Sequence, residues 1–144
     1  MTTQNYANHR QYVPMYHMVL FLLQLAILIG AVVNLVKSLG DHQRLYSASL
    51  IVALSFALFI LSFLARIFAL KAQDRAIRAE ENLRHFVLTG NLLDPRLNIR
   101  HVIGLRFAMD EEFVALAKRA AEENLSEDAI KRAVRNWRAD TYRV

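Results

Sequence analysis

The chain has 144 residues, with 18 Lys or Arg, 13 Asp or Glu, five His and no Cys. That length allows one modest domain, and the lack of cysteine excludes a disulfide framework, a zinc–thiolate site and a thiol nucleophile. The net charge of +5 is thinly spread: residues 66–144 hold 15 basic and 12 acidic side chains, without the dense one-sided patch that nucleic acid binding requires.

Residues 1–14 (MTTQNYANHRQYVP) form a polar, aromatic arm, and Pro14 suits the first turn of a helix. Residues 15–36 then run for 22 positions without Asp, Glu, Lys or Arg, and residues 46–65 for another 20. A bilayer core needs roughly 20 apolar residues of helix. The sequence therefore predicts a two-helix transmembrane hairpin, with spans at 15–36 and 46–66 and a short external loop at 37–45. A soluble domain this small could not cover two such helices on all sides. The first run is also too long for a signal peptide and lacks its small-residue cleavage site. Flanking the spans, Arg10, Arg66, Lys71, Arg75, Arg78 and Arg84 lie on one side, and only Lys37 and Arg44 lie on the other. That bias predicts both termini in the cytoplasm. Within the spans, Gln24, Asn34 and Ser55 are candidates for intramembrane polar contacts, and Ala26/Gly30 and Ser49/Ala53/Ala57 for helix-packing faces.

The second span runs on as helix through residues 67–90 with no Pro or Gly before Gly90. Ser62, Ala65, Ala69, Ala72, Ala76, Ala79, Leu83 and Phe86 recur at steps of 3 and 4, a heptad seam of mostly small side chains. Small residues let a second helix approach closely, so the seam asks for a partner helix. Arg66, Lys71, Arg75 and Arg78 are placed to meet lipid headgroups. Lys71–Asp74, Asp74–Arg78, Arg78–Glu81 and Glu80–Arg84 are at helical pairing distance. His85 reads as a surface pair with Glu81. Gly90 suits the left-handed conformation that closes a helix.

Residues 91–144 read as a cytoplasmic unit of about three short helices. Asp94–Pro95 could start one. Residues 97–107 fit a period of two and, roughly, a helical face; no partner strand is evident, so helix is preferred. Asp110, followed by Glu111 and Glu112, reads as the cap of a helix to about Asn124. Ser126 starts the last helix, to about Asp140, with Ile130, Val134 and Trp137 on an apolar face that could also receive a partner. The unit is expected to pack around Phe107, Phe113, Leu116, Ile130, Val134 and Trp137, and to lean on the small-residue seam.

Catalytic motifs do not emerge. The five histidines (His9, His17, His42, His85, His101) are scattered, and no phosphate-binding glycine loop or nucleophile elbow occurs. The reading is non-enzymatic, without cofactor, metal or evident small-molecule substrate. Spacing at Ala120, Asn124, Leu125, Ile130 and Ala133 resembles a helix-turn-helix, but Arg119 and Glu123 stand where such a unit wants apolar residues.

The stretches QNYANHRQYVPMYH, ARIFALKAQDRAIRAEENLRHFVLTG, LRFAMDEEFVALAKRAAEEN and NWRADTYRV resemble a domain-of-unknown-function family of small two-span membrane proteins from bacteria of Bacteroidetes type. The resemblance covers essentially the full length and implies a bacterial inner-membrane setting, with no activity to transfer. The sequence thus points to an all-α membrane protein that scaffolds or joins a membrane complex by helix packing. Its expected partners are lipid and either another copy or another membrane protein. The alternatives are an oligomeric transport component lined by Gln24, Asn34 and Ser55, and a tethered nucleic-acid binder using Lys131, Arg135 and Arg138.

Overall fold

A computed structural model of the protein describes residues 4–140. Among them are five α-helices and no strand. The chain divides into two compact units, one formed by Tyr12–Ala69 and the other by Met1–Gln11 with Leu70–Val144.

The unit Tyr12–Ala69 is a helical hairpin. Met15–Leu20 is wound as a π-helix and leads directly into α1, Phe21–Lys37. Gly40, at φ +109°, makes the turn where a Cβ would be strained. Asp41 then caps the next helix, its carboxylate accepting the N–H groups of Gln43 (3.1 Å) and Arg44 (3.3 Å). This cap draws the polar triplet His42–Gln43–Arg44 into helix, so α2 begins at His42 and the expected loop 37–45 shrinks to residues 38–41. Met15–Lys37 and the α2 helix are each long and apolar enough to cross a membrane.

The hairpin interface differs from the expected one. Ala31, Ala48 and Ser55 are buried in it, and Leu45, Val52, Phe59 and Ser62 are half-buried on the same stripe of α2, at steps of 3 and 4. Ala26, Gly30, Ser49, Ala53 and Ala57, predicted as packing faces, are exposed instead. A stripe spaced only by fours rotates about 40° per step around a helix, whereas alternating threes and fours keep to one line. The longer contact therefore follows the heptad stripe.

Helix α2 runs unbroken over His42–Thr89, 48 residues. Gly90 ends it at φ +75°, its N–H reaching the Phe86 carbonyl at 2.7 Å.

From Leu70 onward, α2 belongs to the second unit together with α3 (Ile99–Leu105), α4 (Asp110–Glu123) and α5 (Glu127–Ala133). Their core is built on Ile77, Leu97, Val102, Leu105, Phe113, Leu116, Ala120 and Ile130. Residues 99–105 are helical, as preferred over a strand. Asn98 caps α3 in a reciprocal box, its side chain accepting the His101 N–H while the His101 Nδ1 accepts the Asn98 N–H at 3.0 Å. With that cap in place, Asp94–Pro95 does not start a helix but a turn closed from Leu97 N–H to Asp94 carbonyl at 2.9 Å. Gly104 lets α3 and α5 meet closely, because a Cβ there would lie 3.0 Å from Ile130 Cγ2 and 3.1 Å from the Glu127 carbonyl.

Two helix ends depart from expectation. Met109, not Asp110, holds the N-cap position of α4, and Asp110 is its first helical residue. The last helix stops at Ala133 rather than near Asp140. Beyond it the chain is extended and pairs with the segment before α4: Arg138 N–H bonds the Phe107 carbonyl at 2.7 Å, and Met109 N–H bonds the Asn136 carbonyl at 3.2 Å. Trp137 thus lies opposite Ala108 in a single antiparallel bridge, not on a helix face.

Candidate functional site

Three surfaces bear the residues singled out in the sequence. The first is the buried face of the hairpin. Gln24 donates from Nε2 to Ser62 Oγ and to the Leu58 carbonyl (3.3 Å), crossing from α1 to α2. Tyr16 donates its hydroxyl to the Ser62 carbonyl at 2.8 Å, and the Arg66 guanidinium lies 5.6 Å over its ring. Ser55 bonds within its own helix, to the Ile51 carbonyl at 2.7 Å. Asn34 is exposed. The three residues proposed to line a path do not converge: Asn34 lies ten residues from Gln24, about 15 Å along α1.

The second surface is α2 beyond Leu70. Its packed side is Ile77 and Glu81, with Gln73, Arg84 and His85 partly covered. The small-residue seam is not that side. Ala72, Ala76, Ala79, Leu83 and Phe86 are all exposed, which corrects the expectation that the C-terminal unit leans on the seam. The reason is chemical. Glu81 is 3% exposed, and its carboxylate accepts from Arg84 (2.9 Å) and Arg138 (3.3 Å). Arg84 spends its remaining donors on Asp110 (2.6 Å) and the Ala108 carbonyl (2.6 Å), and lies 4.2 Å over the Phe113 ring. A planar guanidinium with five donors fixes both α4 and the turn before it onto this face of α2. Side chains of the seam offer no such anchor. Glu81 therefore pairs with Arg84 and Arg138 rather than Arg78. His85 turns to the Asn91 carbonyl (2.7 Å) rather than to Glu81. Among the described residues Lys71, Arg75 and Arg78 are exposed and make no ion pair.

The third surface joins the two ends of the chain. Tyr6 donates its hydroxyl to Asp128, and Arg132 lies 4.8 Å over its ring. His9 sits 5.9 Å from both Phe107 and Trp137, whose rings are 4.9 Å apart. The Asp140 N–H donates to Gln4 Oε1 at 2.8 Å, and Arg106 pairs with Asp140 at 3.3 Å. Ile130 and Val134 are core residues, 0% and 7% exposed, so they do not form a docking face with Trp137. The Tyr6 hydroxyl, then Arg132, hold the Asp128 carboxyl below its ordinary value. Burial pushes Glu127 up, but hydrogen bonds from Lys131 and Arg100 outweigh it and leave that carboxyl lowered.

The acids at the start of α4 serve separate contacts. Asp110 takes Arg84, and Glu112 accepts the backbone N–H groups of Arg135 (3.2 Å) and Asn136 (2.9 Å). That pairing, with the short α5, undoes the proposed basic recognition helix. Lys131 is tied to Glu127 at 2.6 Å, and Arg135 and Arg138 lie past the helix end. Arg119 and Glu123 pair on α4 at 3.1 Å. Among the described residues, no three His, Asp or Glu side chains gather as metal ligands would.

Sequence reasoning missed Tyr6, His9 and the Glu81–Arg84–Asp110 hub. The hub had a faint signal: Gln73, Ile77, Glu81 and Arg84 share one face of α2, so an acid sits in line with an apolar residue.

A family of unknown function, DUF6526, matches over residues 1–144. The chain belongs to DUF6526. No curated protein and no solved structure matches it. For this DUF6526 chain, the geometry of its own residues is the basis for a functional reading.

Proposed function

We propose that this chain is a non-enzymatic integral membrane protein, a two-span hairpin whose second helix carries a small cytoplasmic unit that takes part in building a membrane complex. The observation that carries the reading is the inverted packing of Tyr12–Ala69. Its buried residues are small (Ala31, Ser38, Ala48, Ser55), while large side chains such as Leu22, Ile29, Leu54 and Leu61 are more than half exposed. Only 6% and 11% of the two apolar stretches is buried. The core helix of a soluble protein would show the reverse, since each exposed Å² of apolar surface costs about 25 cal/mol in water.

Topology supports a hairpin with both ends on one side. The arm 4–11 and residues 70–140 share one compact unit, which supports spans that return to the side they left. The excess of Arg and Lys beside those ends favours the cytoplasm. The resemblance to small bacterial membrane proteins favours the inner membrane of a bacterium. Lipid headgroups then meet Arg66 and Lys71. Assembly, not transport, fits best, because Gln24 and Ser55 are already hydrogen-bonded and neither span holds an acid or a lysine before its end.

The test is alkaline carbonate washing of membranes, with reporter fusions at both termini and at Gly40. Retention in the membrane, cytoplasmic termini and an external Gly40 are expected. Release by carbonate would refute the membrane reading.

A further inference from the structure

We infer that the exposed face of α2 beyond Leu70 is a homodimer interface, in which two copies pair their α2 helices in parallel and in register. The inference rests on the membrane reading above, because two copies inserted with one orientation pair around an axis along the membrane normal.

Four observations carry it. The first is exposed apolar bulk in a stretch outside the spans: Leu83, Phe86 and Val87 are 63%, 50% and 75% exposed. Large apolar side chains grouped on one solvent-facing helix surface mark an interaction site. The second is register. Ala72, Ala76, Ala79, Leu83 and Phe86 fall on alternating d and a positions of a heptad. The third is charge. In that heptad Arg75 takes a g position and Glu80 the e position five residues on. A g residue meets the e′ residue five further along in a parallel pair, so Arg75 of each copy faces Glu80 of the other, twice by symmetry. Within one helix that spacing cannot pair them. Both are exposed and, among the described residues, make no ion pair. The fourth is access. At about 100° per residue, the seam lies about 150° around α2 from the Ile77–Glu81–Arg84 face, which leaves it open.

Self-complementarity selects a second copy over a foreign helix. The acid and the base that match are both supplied by this chain, at the offset its own heptad demands. Lipid is a poorer occupant for Arg75, which lies nine residues, about 14 Å of helix, past Arg66. An upright helix carries it beyond the roughly 10 Å screening length at 0.1 M salt.

The chain has no cysteine, so single-cysteine variants of the full-length protein in native membranes give a direct test. Ala76→Cys and Leu83→Cys sit at a positions and should form disulfide-linked dimers on mild oxidation. Arg78→Cys, at an outward position, should not. Adding Arg75→Glu to Ala76→Cys should abolish the crosslink, and adding Glu80→Arg as well should restore it. Absence of dimers at 76 and 83, equal crosslinking at 78, or no rescue by the charge swap would overturn the proposal. A crosslinked product of another mass, with no dimer, would overturn it in favour of a foreign partner. Failure of the membrane reading shows separately, as release of the protein by carbonate whatever its crosslinking.

Discussion

Residues 12–69 bury alanines and serines, whereas residues 70–140 bury Phe107, Phe113, Leu105 and Ile130. Polar chemistry follows the same division. The hairpin ties its helices with one amide, Gln24, and one hydroxyl, Tyr16, both set against Ser62. The other unit is fixed by a buried carboxylate, two arginines and a set of backbone caps. The difference teaches what each surrounding contributes. Where solvent is apolar, burying hydrocarbon brings no advantage, and close contact of small side chains with a few hydrogen bonds decides the packing. Where solvent is water, large side chains go inside and dominate stability. On the proposed membrane reading one helix, α2, meets both conditions, and its contact face changes composition along its length: Ala48 and Ser55 give way to Ile77 and Glu81.

The comparison can be broken most severely at Phe113. Replacing it with alanine removes a fully buried ring and the surface under Arg84, and should destabilise residues 70–140 by about 3–5 kcal/mol. Hydrogen exchange should show that loss there and leave 12–69 protected. Equal loss in both units would mean they do not fold independently. A smaller effect belongs to the hairpin. Gln24→Leu deletes its one cross-helix amide and should cost only about 0.6 kcal/mol in a micelle or bilayer, read from thermal unfolding. A cost as large as that at Phe113 would put the hairpin under the same rules as a water-soluble core.

The gentlest probe is acid acting on the arm. Asp128 is held below its ordinary value of 3.8, chiefly by the Tyr6 hydroxyl. The folded state therefore favours the carboxylate. Its contribution is present above that ordinary value and disappears as pH falls through the lowered one. Protease cleavage near Tyr6 should accelerate over that acid range, and Tyr6→Phe should raise cleavage at neutral pH and flatten the acid response. An unchanged pH profile in Tyr6→Phe would separate the arm from Asp128.

Local pattern made much of this fold legible. Charge-free runs gave the two long helices, Gly90 gave the end of α2, and Ser126 gave the start of α5. Misreadings arose where a distant partner overrode a local pattern. Val134 and Trp137 keep helical spacing with Ile130, yet the backbone of Phe107 and Met109 takes the following segment as an extended partner. The seam of alanines was visible, but the side on which the second unit would settle depended on Arg84 finding Asp110, 26 residues later. Nothing in the polar arm foretold that His9 would meet Phe107 and Trp137, because its partners lie almost a full chain length away.

That last contact orders events in time. The arm is made before the aromatic ring pair it settles on, because Phe107 and Trp137 both follow it in the chain. The unit that joins the arm to residues 70–140 can therefore finish folding only after both long helices have been made. Insertion into the bilayer would bring the distant ends together beforehand, and so reduce the loop-closure entropy that folding would otherwise have to overcome.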